Sequence, residues 1–175
     1  MKTSLKSIIV LIAICVFIAA AMAAINMVTA PRIADAELAA KQAALSEVIT
    51  ENGGFDALEL DGMPESVIEV YSDKDGEGYV VLLDAKGYDS SKPISIAVGF
   101  ANDGTITKVH VISCSGETAG IGSVVGEAEF TDQFVNKDSS LDGVDAVSGA
   151  TISTSAFINS IKDAFVAFDT AKEVR

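Results

Sequence analysis

The longest apolar stretch lies near the start of the chain. Ile8 to Ile25 is continuously apolar, and residues 7–31 carry no charged side chain. A helix rises about 1.5 Å per residue, so this segment is long enough to cross the roughly 30 Å hydrocarbon layer of a membrane. The alternative is a cleaved signal peptide, since Ala21-Met22-Ala23 resembles a small-x-small cleavage site. The long apolar run, with no helix breaker before its end, favours a retained transmembrane anchor within residues 1–31.

Beyond the anchor, the apolar positions follow a helical spacing. They lie on one side of a helix predicted from Arg32 to Thr50, and Asn52-Gly53-Gly54 is the signal that ends it. The apolar positions on that side are Leu38, Ala39, Leu45, Val48 and Ile49. We expect residues 32–54 to form a stalk that holds the following domain close to the bilayer.

From Val67 the pattern changes to short runs that are rich in β-branched residues. Four such runs are separated by turn signals and predict strands. They are Val67–Tyr71, Gly78–Asp84, Ile94–Phe100 and Thr105–Ser113. The last two are joined by Asn102-Asp103-Gly104, which is a strong hairpin signal. The strands are therefore expected to pair antiparallel.

Two helices are predicted after the strands. The first, from Ala128 to Lys137, places Phe130 and Phe134 on one side. The second, from Ser153 to Val174, repeats large apolar residues at a spacing typical of a face packed on a sheet. These residues are Phe157, Ile161, Phe165 and Phe168. The fold class is therefore α+β: a mainly antiparallel sheet packed by helices over residues 55–175, preceded by a single N-terminal transmembrane helix.

Charge assigns an orientation to the anchor. Lys2 and Lys6 precede the span, whereas Asp35 and Glu37 follow it and are opposed there only by Arg32. Because positive residues stay on the cytoplasmic side, we expect the N-terminus inside and the C-terminal domain on the outer face of the cytoplasmic membrane. The whole chain has 12 basic and 25 acidic residues, a net charge of −13. This acidic balance argues against nucleic acid as a partner.

The sequence offers few groups for catalysis or metal binding. His110 is the one histidine and lies in a predicted strand, while Cys15 and Cys114 belong to different parts of the chain. One histidine and two separated cysteines cannot form a zinc site. The chain has no P-loop, dinucleotide fingerprint or nucleophile–base set. We therefore assign no catalytic residue, and a bound redox cofactor is the chemistry that remains.

The turn before the final predicted helix is the strongest candidate site. The segment Asp145–Thr151 reads DAVSGAT. Gly149 permits a positive φ or the close approach of a ligand. The first turn of the following helix offers unpaired N–H groups and the positive end of its dipole to a phosphate. The alternative is that Ser148, Thr151, Ser153 and Thr154 serve only as helix caps.

These residues carry a family resemblance. Asp145-x-x-Ser148-Gly149-Ala150-Thr151 resembles the flavinylation motif Asp-x-x-(Ser/Thr)-Gly-Ala-(Thr/Ser), in which a flavin transferase moves FMN from FAD onto the last hydroxyl through a phosphoester. Upstream, residues 117–122 (ETAGIG) resemble the Glu-Thr-Pro-Gly-Leu-Gly loop of the same domains. The two motifs, their order and the single anchor resemble the G subunit of the Rnf electron-transport complex. The C subunit of the sodium-translocating NADH:quinone reductase is a related family.

The resemblance implies a role for each residue of the downstream motif. Thr151 would carry the covalent FMN through its hydroxyl. Ser148, Gly149 and Ala150 would form the turn that presents it, with backbone N–H groups near the phosphate. Asp145 would be needed either by the transferase or to brace the turn.

The upstream loop would contact the isoalloxazine ring. The residues implied to line the ring are Thr118, Gly120, Ile121 and Gly122. Glu117 would hydrogen-bond either a backbone group or an edge of the flavin. The loop departs from the family pattern at Ala119 and Ile121, where the family has proline and leucine. The departures leave the detailed flavin contacts open, but not the attachment.

The function implied by the resemblance is that of a redox carrier without an active site of its own. The chain would be the covalent-FMN electron-carrier subunit of an ion-translocating ferredoxin:NAD oxidoreductase. Its partners would be the other membrane subunits of that complex and, during maturation, a flavin transferase. Two alternatives stay open. A stand-alone membrane-anchored flavoprotein reductase would turn over a diffusible acceptor in isolation, and a flavin-free assembly subunit would carry no adduct.

Overall fold

The chain forms two compact units, Met1–Ala40 and Lys41–Arg175. The structure is a computed structural model that describes residues 2–49, 54–74, 76 and 78–174. The first element is the α-helix α1, Lys2–Val48, which contains Pro31. Residues of the predicted anchor and of the predicted stalk, as far as Val48, therefore lie in one helix. The stop signal predicted at residues 52 and 53 lies outside the described residues.

The N-terminal part of α1 is exposed and apolar. Within the described residues, one helical segment, inside Lys6–Val48, is long and apolar enough to cross a membrane. Its side chains include Leu11, Phe17 and Met22, each at least half exposed. Such exposure of large apolar groups is costly in water and is favourable in a lipid layer.

The second unit is built on a five-stranded sheet, as far as the structure describes it. The strands are β1 Phe55–Leu58, β2 Val67–Asp73, β3 Gly78–Ala85, β4 Ile94–Ala101 and β5 Ile106–Ser113. They follow one another in chain order and every neighbouring pair is antiparallel. The four strands predicted from the sequence and their antiparallel pairing are confirmed. The short strand β1 was not predicted, because its four residues include no β-branched residue.

Helix α3, Thr151–Val174, covers one face of the sheet. The predicted apolar face of this helix is confirmed, since Phe157, Ile161, Phe165 and Phe168 are all buried. Phe100 of β4 contacts the rings of Phe165 and Phe168 at centroid distances of 5.0 and 5.1 Å. Ring pairs of this kind contribute about 0.5–1.5 kcal/mol beyond the burial of their area. The helix is thereby fixed along its length on the sheet.

The last turns of α1 cover the opposite face. The residues buried there are Ala44, Leu45 and Val48 of the helix and Ile49 directly after it. They pack against side chains of β3 and β4 that include Val80, Leu82 and Ala97. Polar contacts fix the same segment. Thr107 donates to the carbonyl oxygen of Val48 at 3.0 Å, and Lys108 donates to Glu47 at 2.9 Å. The hydrogen bond from Lys108 holds the pKa of Glu47 below its ordinary value.

The helix predicted from Ala128 to Lys137 is shorter in the structure. Helix α2 spans Ala128–Thr131 and is followed by a 3-10 turn, Asp132–Phe134. The chain then leaves the helical conformation, because Asn136 has a positive φ of 60° and its N–H donates to the carbonyl oxygen of Ile106. Pairing with the start of β5 thus competes with the helix. Phe130 and Phe134 nevertheless lie on one side, as predicted. Both are buried, and the centroids of their rings are 5.5 Å apart.

Leu45→Ala should lower the free energy of unfolding of the second unit by about 2–4 kcal/mol, because it opens a cavity between α1 and the sheet. Leu38→Ala is the matched control: it removes the same side chain from the same helix, but Leu38 is 55% exposed. The control should change stability by no more than about 0.5 kcal/mol. Urea unfolding in detergent, followed by tyrosine emission, measures both. Equal losses would contradict the burial of the last turns of α1 against the sheet.

Candidate functional site

The two sequence motifs meet at one pocket of about 340 Å³ at the start of α3. Its walls come from the loop after β3, from the loop that follows β5, and from the first turn of α3 with the two residues before it. The lining residues are Tyr88, Glu117, Thr118, Ile121, Gly122, Gly149, Ala150, Thr151, Ile152 and Ser153. The structure therefore brings together Glu117 and Thr151, which are far apart in the sequence.

The turn before α3 is set by a glycine with a positive φ. Gly149 has φ +84°, and the N–H of Ala150 donates to the carbonyl oxygen of Val147 at 3.0 Å. The carbonyl oxygen of Ala150 then accepts from the N–H of Thr154, and α3 begins at Thr151, two residues earlier than predicted. Among the described residues, the N–H groups of residues 151–153 have no hydrogen-bond partner. They form the free positive end of a 24-residue helix, which favours a bound anion.

The hydroxyl groups at the helix start are in different environments. Thr151 is exposed and lines the pocket. Thr154 is fully buried, and its hydroxyl donates to the carbonyl oxygen of Ala150 at 3.0 Å. Ser153 is also buried, and its hydroxyl donates to Oε2 of Glu117. Ser148 is exposed but does not line the pocket. Thr151 is thus the one hydroxyl of the four that is both accessible and directed to this pocket.

Glu117 is a buried acid with both carboxylate oxygens in use. Its side chain is 9% exposed. Oε1 accepts from the backbone N–H of Tyr88 at 2.9 Å, and Oε2 accepts from Ser153. Of the two partners considered for Glu117, a backbone group and a flavin edge, the structure contains the backbone group.

The loop after Glu117 is closed by its own hydrogen bonds. The carbonyl oxygen of Thr118 accepts from the N–H groups of Ile121 and Ser123, both at 3.1 Å. The N–H of Gly120 donates to the hydroxyl of Ser123 at 2.9 Å, and Gly120 has φ +74°. A 3-10 turn, Gly122–Gly126, follows directly. The loop is therefore ordered although Ala119 stands where the family has proline.

Three of the predicted site residues do not line the pocket. They are Asp145, Ser148 and Gly120. Asp145 is exposed, and its backbone N–H donates to Oε1 of Gln133 at 3.0 Å. Among the described residues its carboxylate has no hydrogen-bond partner, so the backbone of Asp145 is braced while the side chain is free to meet another molecule. The roles assigned to these three residues stay predictions.

Sequence reasoning missed three residues of the pocket: Tyr88, Ile152 and Ser153. Tyr88 lies in the loop between β3 and β4 and is 69% exposed. The hydrogen bond from its backbone N–H to Glu117 places it at the site. A backbone hydrogen bond does not depend on the side chain, so the sequence gives no signal for it. With Ile121 and Ile152, which are also exposed, it forms an apolar rim that suits a planar aromatic ring.

The histidine and the cysteines are not part of this pocket. His110 is half-buried on the face of β5 that meets α1, 3.6 Å from Glu47. Cys114 lies just after β5, where it is half-buried and packs against the main core. Within the described part of the chain, no group of three His, Cys, Asp or Glu residues could hold a metal ion.

Comparison with known proteins identifies related sequences for both units. A family profile described as "FMN-binding domain" matches residues 87–166. A second profile, described as "RnfG N-terminal region", matches residues 1–48. The chain is 31% identical over 134 residues to the G subunit of the ion-translocating oxidoreductase complex of Methanosarcina acetivorans. That alignment covers 69% of this chain and 71% of the relative.

Replacing Gly149 tests the backbone geometry of the turn. Gly149→Ala should cost about 1–2 kcal/mol, because a side chain strains the positive φ, whereas an added Cβ meets no atom within 4 Å. Gly149→Asn should cost less, since asparagine tolerates this conformation better. Gly126→Ala, at a glycine without a positive φ, is the control and should leave stability nearly unchanged. Urea midpoints measure the series, and equal costs for Ala and Asn would contradict the backbone explanation.

Proposed function

We propose that this chain, which belongs to the G-subunit family of Rnf-type ion-translocating oxidoreductase complexes, carries FMN covalently on Thr151. The match to the FMN-binding domain and the relationship to the archaeal G subunit support a flavin electron-carrier subunit. The attachment to a threonine, and the transfer of electrons between ferredoxin and NAD in the complete complex, are the further content of the proposal.

The observation that carries the proposal is the accessibility of Thr151. Its hydroxyl stands at the first residue of α3, exposed and within the pocket. The neighbouring hydroxyls of Ser153 and Thr154 are buried and already donate hydrogen bonds inside the protein. Of the hydroxyls at Ser148, Thr151, Ser153 and Thr154, a transferase acting on the folded chain would therefore find that of Thr151 as the available acceptor beside the pocket.

The residues of the pocket fit the two ends of FMN. The free N–H groups at the start of α3 suit the phosphate, which Thr151 would hold as a phosphodiester. The apolar rim of Tyr88, Ile121 and Ile152 suits one face of the isoalloxazine ring. When bound, the flavin supplies reversible electron transfer, and the protein holds and orients it.

The surroundings of the pocket favour a carrier over an independent reductase. Glu117 is the only carboxylate among the described lining residues, and its two oxygens are already hydrogen-bonded within the protein. No described lining residue is a histidine, lysine or cysteine that would move a proton or bind a second substrate. The proposed role is therefore to pass electrons between redox partners of the complex.

The location proposed for the chain follows from its charge and its apolar helix. Residues 1–31 would form the cytoplasmic N-terminus and the anchor, and residues 32–54 the stalk. The FMN-binding domain, residues 55–175, would lie on the outer face of the membrane. The two lysines before the span, with a single arginine shortly after it, support this orientation. The other membrane subunits and the flavin transferase are the partners proposed.

Thr151→Ala should abolish covalent FMN, because a phosphoester requires a hydroxyl. Thr151→Ser should retain part of it, since the motif accepts serine. The alanine variant should remain folded, as Thr151 is exposed and the loss of a capping hydroxyl costs at most about 1 kcal/mol. Intact-mass measurement on protein made together with its flavin transferase detects the adduct.

Two controls separate attachment from folding in this experiment. Ser148→Ala removes the other exposed hydroxyl of the motif and should not shift the adduct to a different residue. Peptide mapping of the wild-type chain should locate the flavin phosphate on Thr151. Covalent flavin on a folded Thr151→Ala protein would refute the assignment. So would a wild-type chain that never acquires covalent flavin.

Membrane orientation is tested with added protease. In cells stripped of any outer envelope, protease should digest the domain beyond Arg32 and spare the N-terminus, because the two lysines before the span hold that end inside. A tag at each end, detected by immunoblot, reports the outcome. Protection of the C-terminal tag, or a mature chain beginning near Ala24, would contradict a retained anchor with this orientation.

A further inference from the structure

Glu117 connects three separate segments of the chain at the pocket. It accepts one hydrogen bond from the backbone of Tyr88, in the loop between β3 and β4, and another from Ser153, in the first turn of α3. The partners lie 29 and 36 residues away in the sequence. We call this set the Glu117 network: the carboxylate of Glu117, the N–H of Tyr88 and the hydroxyl of Ser153.

Two glycines leave the space that the carboxylate occupies. A Cβ on Gly87 would collide with Oε1 of Glu117, and a Cβ on Gly122 would collide with Oε2. A Cβ on Gly122 would also stand 2.8 Å from the hydroxyl oxygen of Ser153. Any other residue at either position would push the carboxylate out of its place. The carboxylate is thus held on two sides by backbone and at both oxygens by donors.

The carboxylate of Glu117 lines the pocket, but both of its oxygens already accept hydrogen bonds from within the protein. Turning the carboxylate into the pocket would break two hydrogen bonds, one of them from a buried hydroxyl, and leave both donors without a partner. The residues it fixes are nevertheless those that face the pocket: Thr118 follows it in the chain, Tyr88 supplies the rim, and Ser153 stands two residues after Thr151.

We propose that Glu117 is a positioning residue of the flavin site. It fixes the apolar rim and the loop after β5 relative to Thr151, the proposed attachment residue. It acts through Ser153 and the backbone of Tyr88. The inference rests on the proposed function for its consequence, the orientation of the attached flavin. The network itself is a property of the chain without flavin.

The first measurement uses the full chain made without flavin transferase. In Glu117→Ala, hydrogen exchange at the amide of Tyr88 should be faster by roughly tenfold or more, because its acceptor is gone. In Glu117→Gln it should stay near the original rate, since the amide oxygen accepts from Tyr88 and the amide nitrogen donates to Ser153. Glu127→Ala removes an exposed glutamate nearby and is the matched control. No change at Tyr88 in Glu117→Ala would overturn the network.

The second measurement uses the chain made with the transferase. Glu117→Ala should keep the adduct on Thr151, because the motif from Asp145 to Thr151 is intact, but the visible circular dichroism of the flavin should be largely lost. Its fluorescence anisotropy should fall towards that of a freely rotating group. Glu117→Gln should restore both signals. Ser153→Ala and Gly122→Ala should reproduce the loss, since each disturbs the same carboxylate.

The outcomes distinguish this inference from the function on which it rests. If the wild-type chain acquires no adduct, the proposed function is refuted, and with it the role of Glu117 in orienting the flavin. Hydrogen exchange would still test the network itself. Unchanged dichroism in a loaded Glu117→Ala protein would overturn the positioning role. A Glu117→Gln variant as impaired as Glu117→Ala would do the same, because glutamine can keep both hydrogen bonds of the network and should therefore keep the position of the flavin.

Discussion

The packing of α3 against the sheet is the constraint on which the site depends. The helix carries Thr151 and Ser153 in its first turn and buries Phe157, Phe165 and Phe168 further along. A helix behaves as a rigid rod over this length, so contacts in its later turns decide where its first N–H groups point. Packing between large apolar groups is also what resists displacement most strongly in a protein interior. The geometry of the pocket is therefore set largely by residues that never touch a ligand.

The electrostatics of the pocket bear on the mode of binding. Among the described lining residues there is no lysine or arginine, and the domain as a whole is acidic. A phosphate would meet only the partial positive charge of a helix start, equivalent to about half an elementary charge. Reversible ionic binding of FMN would be weak under those conditions. In the proposed scheme, the phosphoester at Thr151 supplies the permanence that the charges do not.

The sequence was sufficient for β2–β5, for α3 and for the two motifs that meet at the pocket. Alternation and hairpin signals located β2–β5 within two residues of their ends, because each strand forms a hairpin with its neighbour and the pattern is local. The end of the helical segment after Ala128 was not predictable in this way, since the chain leaves it to pair Asn136 with Ile106 across the fold. The same reason explains Tyr88, whose part in the pocket depends on a backbone N–H and a carboxylate 29 residues away. Motifs gave the residues on each loop, but not the contact that joins the loops.

The order of the sheet has a consequence for the biogenesis of the protein. The five strands pair in the sequence in which they are synthesised, so the sheet can assemble as its hairpins emerge. The face that α3 covers, with Val81, Leu83 and Phe100, stays bare until that last helix has been made. Only then do Ser153 and Thr154 become buried, while Thr151 stays exposed beside the pocket. In the proposed scheme, an enzyme that acts on the finished domain would therefore meet fewer exposed hydroxyls at the start of α3 than an enzyme that acts on the nascent chain.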